Sequence, residues 1–401
     1  MITVVGHDGS PLSPQALRAL TTATLIVGGR RHLDAVADAV PVTARTIVMG
    51  DVAAALDTLD RHDGPAVVLA SGDPGFFGIV RALRERRLDI VVLPAVSSVA
   101  LAFARAGLAW DDAMVVSAHG RDLRPAINTC RAYPKVAVLT APGAGPSELG
   151  AALTGLPRDF LIAERLGTPA ERISECSPQQ ATTRVWHDPN VVLVLDRTRL
   201  STPSGWRWPG QPASGQSASA GWALPEHAFE HRDQMITKTE VRALVLARLA
   251  PRLGTLVWDI GAGSGSVGIE CARFGAAVVA VERDPRQAAR IQANATRHGV
   301  ELKVVEGVAP GALDELPDPD AVFVGGGGPA VIAAVAARRP ARIVMTIAAL
   351  ERVGPARDAI RHAGYHVEGV QLQASRLSEL PDGSHRLAAT NPVLVLCGER
   401  R

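Results

Sequence analysis

Short apolar runs rich in β-branched residues recur along the chain, separated by stretches whose apolar positions follow helical spacing. In the first half these runs fall at residues 2–5, 24–27, 66–69, 90–93, 114–117, 136–139 and 191–195, with helices predicted at 14–21 and 98–106. Runs of four to six residues, apolar at nearly every position, predict strands buried on both faces. The second half is more regular, with strands predicted at 255–259, 277–282, 302–305, 321–324 and 342–347, helices between them, and two closing strands at 366–373 and 393–397. Strand and helix in strict alternation predict parallel sheets covered on both faces, with ligands held beyond the carboxyl ends of the strands. Both halves are therefore expected to be α/β. No fixed-period repeat relates them.

Residues 199–224 fit neither half, being rich in Ser, Gly, Pro and Ala without apolar periodicity, and read as a linker. The predicted organisation is a domain over 1–198, the linker over 199–224 and a domain over 225–401, as a length of 401 residues leads one to expect. Trp206, Trp208 and Trp222 are more aromatic surface than a solvated tether needs. Composition narrows the partners. A net charge of +2 and 4% aromatic residues give neither the field nor the stacking platforms for nucleic acid. No apolar stretch reaches the length of a membrane span. The opening MITVVGHDG lacks the features of a secretory signal, so a cytoplasmic protein is expected. Cys130, Cys176, Cys271 and Cys397 form no C-x-x-C pair, and His227 and His231 have no third ligand nearby in sequence, so no metal is expected.

The segment LVWDIGAGSGSVGIE carries the strongest local chemistry: a strand ending at Asp259 turns through Gly261, Ala262, Gly263, Ser264 and Gly265 and enters a helix through Gly268. Glycines serve where a backbone turns tightly and a ligand comes closer than a Cβ allows. From Gly263 the residues also fit the dinucleotide pattern G-x-G-x-x-G, so the glycines alone leave the cofactor open. Glu282 closes the next strand 21 residues after Gly261, the spacing of a ribose-binding acid, which favours an adenosine-containing cofactor. Asp259, just before the glycines, would repel a pyrophosphate but suits the ammonium and sulfonium of S-adenosylmethionine. With the two closely spaced final strands, this favours a methyltransferase over an NAD(P)-binding oxidoreductase. A base-methylating enzyme would carry an Asn or Asp-Pro-Pro-aromatic segment after the fourth strand, where this chain has DAVFVGGGG.

MITKTEVR, LVWDIGAGSGSVGIE, VERDP, VVEGVAP, DAVFVGGGG and the late NPV together resemble the decarboxylating precorrin methyltransferases of the CbiT type, across residues 225–401. The resemblance implies a seven-stranded Rossmann-like fold. It places Thr237, the loop from Gly261 to Gly265, Glu282, Gly307 and Ala309 around the cofactor. Near the N terminus, LASGDPGFFG, with ITVVGHDG, VGGRRH, LPAVSSVALAFARAGL, VSAHGRD and AERLGTPAER in order, resembles the tetrapyrrole methylases of the CbiE type over 1–198. That likeness implies two α/β subdomains, and places Gly6, Gly72, Asp73, Phe76, Gly78, Ser97 and Ser98 near a second cofactor. The family's usual Gly-x-Gly-Pro-Gly turn is replaced here by Gly6, His7, Asp8 and Gly9.

Taken together, the two resemblances imply S-adenosylmethionine bound once per domain and a polycarboxylate precorrin as substrate. They imply methylation of precorrin-6B at C5 by the first half and at C15 by the second, with loss of the C12 acetate carboxyl, giving precorrin-8 in cobalamin biosynthesis. Assembly as a homo-oligomer is expected. Candidates for substrate or proton handling are Lys238, His119 and Glu351. The alternatives left by the residues are another tetrapyrrole methyltransferase, a nucleic-acid methyltransferase, or an oxidoreductase.

Overall fold

The computed structural model describes residues 1–200, 221–232 and 236–400. The chain divides into two compact units, Met1–Arg121 with Lys135–Thr198, and Asp122–Pro134 with Arg199–Arg401.

The first unit opens with a wholly parallel five-stranded sheet of β1 (Ile2–His7), β2 (Leu25–Gly28), β3 (Arg45–Val48), β4 (Ala66–Ser71) and β5 (Ile90–Leu93), in the order β3-β2-β4-β1-β5. Alternate residues of each strand enter different cores: Val4, Val27 and Val68 one, Val5, Ile26 and Val67 the other. This is why β1, β2 and β4 are apolar at most positions. A second sheet contains β6 (Met114–Ser117), β7 (Lys135–Leu139), β8 (Asp159–Glu164), β9 (Arg172–Cys176) and β10 (Asn190–Leu195), ordered β6-β7-β10-β8-β9. Here the expectation of a parallel sheet fails. Only β6 and β7 run parallel, while β10 is antiparallel to both β7 and β8, and β8 to β9. For the β8–β9 pair the physical reason is the short connection, residues 165–171, which has no helix to carry a parallel crossover.

In the second unit, β11 (Leu256–Ile260), β12 (Ala277–Glu282), β13 (Lys303–Glu306), β14 (Ala321–Val324) and β15 (Arg342–Ile347) are parallel. Strands β16 (His366–Leu372) and β19 (Val393–Glu399) complete a sheet ordered β13-β12-β11-β14-β15-β19-β16, with β19 antiparallel to both its neighbours. Between them lies an unanticipated hairpin, β17 (Ser375–Glu379) with β18 (His385–Ala389). Trp258 is fully buried in the core on one face, and Val257 in that on the other.

The segment Asp122–Pro134 belongs to the second unit, although chain order puts it in the first half. Its helix Arg124–Ala132 carries the fully buried Asn128, whose amide donates to Gly254 O at 3.1 Å, and Arg124, which pairs with Asp320 at 3.0 Å. Of the linker tryptophans, Trp206 and Trp208 lie outside the described residues. Trp222 is 54% exposed, its ring edge-on to Phe274 at 6.4 Å.

Candidate functional site

In the second unit the loops after β11, β12, β13 and β14 meet at the carboxyl end of the sheet. Gly261, Gly263 and Gly265 all have left-handed φ, at 69°, 56° and 74°. Gly261 and Ala262 donate to Val281 O, Gly307 donates to Glu282 O at 2.9 Å, and Gly325 donates to Ile260 O at 2.9 Å. Glu282 is 8% exposed and binds the loop itself: one carboxylate oxygen accepts from Gly263 N at 2.8 Å, the other from Arg283 N and Asp284 N. Ser264 is fixed from below by the buried Asn294, which donates to its carbonyl at 3.0 Å. Ala309 is half-buried on the segment after β13.

Asp259 lies beneath this loop. It is 1% exposed, and Oδ2 accepts from Gly268 N at 2.8 Å. The second oxygen, Oδ1, is buried with no hydrogen-bond partner. Burial pushes the carboxyl up to about 7, against the opposing pull of the Gly268 N–H, with the negative charge of Glu282 adding to the rise. A buried acceptor left unpaired in a native fold calls for a positive or hydrogen-donating partner. A cofactor ammonium supplies one. A Cβ at Gly263 would meet nothing within 4 Å, whereas one at Gly265 would strike Ile291 at 2.9 Å and one at Gly268 would strike Asp259 at 2.9 Å. Gly263 is thus the open position of the loop, where a ligand can come against bare backbone. These features fit an adenosine cofactor with a charged amino-acid end.

A segment at the edge of this site is held by charges that the sequence pattern did not reveal. Arg242 is fully buried, donating to Glu270 Oε1 at 2.6 Å, to Thr237 O at 2.6 Å and to Leu224 O, with its guanidinium 4.9 Å from the Phe229 ring. Glu270 in turn accepts from Ala223 N and Leu224 N. The pair holds the backbone at Ala223, Leu224 and Thr237, the last a predicted cofactor residue. Lys238 follows it, half-buried, as the backbone cap of the helix Thr239–Leu249. Glu351 is exposed in the short turn Leu350–Arg352 after β15. A buried Arg one turn into a helix has no sequence signature of its own.

In the first unit the loops after β1, β4 and β5 converge in the same way. Gly72 N donates to His7 O at 2.8 Å and Gly72 O accepts from Ala95 N at 3.2 Å. A Cβ on Gly6 would lie 2.0 Å from Gly72 O, so glycine is required there by the neighbouring loop whatever the ligand does. Asp8 replaces the family's glycine-proline turn with a bridge, accepting from Val96 N at 3.2 Å and from Ser10 N. Several predicted residues have structural duties: Asp73 accepts from Gly75 N at 2.8 Å, and Ser97 caps the helix Ser98–Ala106 through Ala100 N. Gly78 lies against Pro74 O. Phe76 packs edge-on against Phe77 at 5.0 Å, and Phe77 is 44% exposed with φ at 54°. His119 is exposed in a turn at Gly120, beside Arg121, which lies over the Phe77 ring at 5.8 Å.

Among the described residues there is no group of three or more His, Cys, Asp or Glu side chains placed to hold a metal, and no helix long and apolar enough to cross a membrane.

Residues 6–181 match the family described as Tetrapyrrole (Corrin/Porphyrin) Methylases, and residues 227–390 the family described as Precorrin methyltransferase domain. A Sinorhizobium protein named precorrin-6Y C(5,15)-methyltransferase [decarboxylating] is 40% identical over 81% of this chain and 77% of its own length. Two shorter relatives each cover about half of the chain. A Pyrobaculum calidifontis protein, named probable cobalt-precorrin-6B C(15)-methyltransferase (decarboxylating), is 36% identical over 43% of this chain and 93% of its own. A Salmonella typhimurium protein, named cobalt-precorrin-7 C(5)-methyltransferase, is 32% identical over 49% of this chain and 99% of its own.

Proposed function

The chain belongs to the family of decarboxylating precorrin-6Y C5,15-methyltransferases, and from that premise we propose that each unit binds its own S-adenosylmethionine and carries out one of two methylations. It is an S-adenosylmethionine-dependent C-methyltransferase of cobalamin biosynthesis, acting on a precorrin. The first unit methylates C5; the second methylates C15 and releases the C12 acetate carboxyl as carbon dioxide, so that precorrin-6Y (precorrin-6B) becomes precorrin-8. The observation that carries this reading is the presence of two glycine-lined loop clusters, each at the carboxyl ends of a different set of parallel strands and each closed by hydrogen bonds within its own unit. Relatives half as long as the chain, one named for C5 and one for C15, support the division of labour.

The bound cofactor supplies a methyl group on a positively charged sulfur, already activated for transfer. What the chain supplies is placement. Gly263 presents bare backbone, Glu282 fixes that backbone and offers its carboxylate to ribose hydroxyls, and Asp259 provides the buried negative charge that the cofactor's ammonium satisfies. Alignment of an electron-rich ring carbon with the methyl group is then most of the catalytic work. Loss of carbon dioxide requires a proton on the ring system, and Lys238 and Glu351 are the candidates for that role in the second unit. The exposed Leu377 and Leu387, paired across the β17–β18 hairpin at 70% and 71% exposure, support assembly as a homo-oligomer.

The test is incubation of the intact chain with precorrin-6Y and isotope-labelled S-adenosylmethionine, with mass measurement of the pigment and a count of bound cofactor. Two labelled methyl groups, one lost carboxyl and two cofactors per chain are expected. One cofactor per chain would overturn the two-site reading.

A further inference from the structure

The VGGRRH segment is not used by either cofactor cluster, yet its side chains meet at the carboxyl ends of the first sheet. Arg31 donates through Nη2 to Ser71 Oγ at 2.5 Å and through Nε to His32 Nε2 at 3.3 Å. His32 Nε2 and Ser71 Oγ are 2.9 Å apart, so the serine hydroxyl donates to the imidazole while accepting from the guanidinium. His32 is 8% exposed, and His7 lies edge-on to it at 5.9 Å. His7 ends β1 and Ser71 ends β4, each next to a glycine of the first cofactor cluster. Burial first, and then Arg31 and His7, bring the His32 imidazole down to about 4, so that it is neutral and can accept.

Several arginines of this unit are paired with acids. Arg86, Arg105, Arg158 and Arg172 pair with Asp57, Glu171, Asp196 and Glu164. Arg31 forms no ion pair among the described residues; its partners are a hydroxyl and a neutral imidazole, and burial works against its charge. An exposed guanidinium held in one orientation by two neutral groups and left without an acid is prepared for an anion from outside. Its flat fork matches a carboxylate.

We propose that Arg31, oriented by Ser71 and His32, binds a carboxylate side chain of the tetrapyrrole on the first unit. This rests on the reading of that unit as a precorrin methylase. Arg31 is the binding residue; Ser71 and His32 are positioning residues. The site orients the macrocycle beside the loop of Gly6 and Gly72 and takes no part in methyl transfer itself.

The test uses the full chain with precorrin-6Y and labelled S-adenosylmethionine, comparing Arg31→Gln and Arg31→Lys with the unaltered protein. In Arg31→Gln the KM for pigment in the first unit's methylation should rise about 10- to 100-fold, the range of a charge-assisted hydrogen-bond pair. The kcat should change little, and cofactor affinity should stay the same. Arg31→Lys should recover part of the loss, since it restores charge without the fork. At limiting pigment, Arg31→Gln should accumulate singly methylated, decarboxylated product. An unchanged KM, or a fall in kcat together with cofactor affinity, would overturn the proposal. Should Arg31→Gln fail to fold, Ser71→Ala decides: it loosens the guanidinium and should raise KM several-fold, and no rise refutes the site. If the unaltered chain methylates no pigment, the functional reading fails. If it adds both methyl groups and Arg31→Gln does too with the same KM, only the carboxylate site fails.

Discussion

Replacing Asp259 by Asn removes a charge from a place that the second unit seals from water. An unfolded aspartate titrates near 3.9, whereas burial holds Asp259 at about 7. The folded chain therefore keeps this proton more tightly than the unfolded chain does. The stability contributed by the group is fully present below about pH 4 and is lost as pH rises to about 7, after which it is level. A gap of roughly three units sets a ceiling of about 4 kcal/mol on that loss. Asn carries no charge and removes the slope. Its Oδ1 can still accept from Gly268 N, but its Nδ2 then enters the unpaired position of the present Oδ1, at a cost of about 1–3 kcal/mol. The two stability curves should cross: Asp259→Asn is less stable than the unaltered chain near pH 4 and equal or more stable near pH 8. Cofactor affinity moves the other way, falling about tenfold at pH 7.5 because the ammonium loses its counter-charge. Hydrogen exchange at the amides of Trp258 and Ile260, followed from pH 4 to 8, reads the local stability without assuming that both units unfold together. Parallel curves for the two proteins would refute the reasoning.

Glu282→Gln should weaken cofactor binding by the second unit by about 1–3 kcal/mol, read by calorimetry, because the amide keeps one acceptor where Glu282 serves Gly263 N, Arg283 N and Asp284 N with two. Unchanged affinity counts against Glu282 as the ribose acid. Gly78→Val should abolish C5 methylation, since a Cβ there lies 2.3 Å from Pro74 O, and should leave C15 methylation and decarboxylation measurable by pigment mass. Loss of both activities in a folded variant would mean that the sites are coupled. Proteolysis within residues 201–220 should give fragments that stay together on a sizing column, because the cut leaves Asp122–Pro134, a part of the second unit, on the N-terminal piece. Asn128→Leu, which removes the donor to Gly254 O, should let them separate. Fragments that part without the substitution would argue against this placement of the helix.

Many of the strands that the apolar runs predicted are buried on both faces, as where Val4 and Val5, or Val257 and Trp258, each serve a separate core; yet β13 and β16, also predicted, are largely open, and β8, buried at five of its six positions, was not predicted. Other strands that the pattern missed are short and exposed. Strand β9 reads Arg-Ile-Ser-Glu-Cys and is mostly open to solvent, and β17 and β18 form a two-stranded hairpin with exposed leucines. Strand direction was not legible either, since an apolar run is the same in a parallel or antiparallel neighbourhood. At the sites, glycines and acids announced themselves by spacing, while Arg242, Glu270 and Asn294 did not. Each is a polar residue in a helix that sequence assigns to the surface, and only the tertiary fold turns it inward against a partner.

The glycines themselves show what spacing leaves undecided. A glycine-rich motif reads as one statement about a ligand, but the positions in Gly261 to Gly268 meet different neighbours. Gly268 is needed because Asp259 lies under it, Gly265 because Ile291 does, and Gly261 because Gly326 approaches its face at 3.1 Å. These three let the chain pack against itself. Gly263 alone of the four has open space where its Cβ would be, and its N–H is the one that Glu282 holds. The left-handed φ of Gly261, Gly263 and Gly265 makes glycine favourable at each of those three, so strain cannot separate them. The neighbours do. In the first unit the same distinction makes Gly6 a packing glycine, shut in by Gly72 and Ala95, while the nearby guanidinium of Arg31, held by Ser71 and His32, has no acid partner among the described residues.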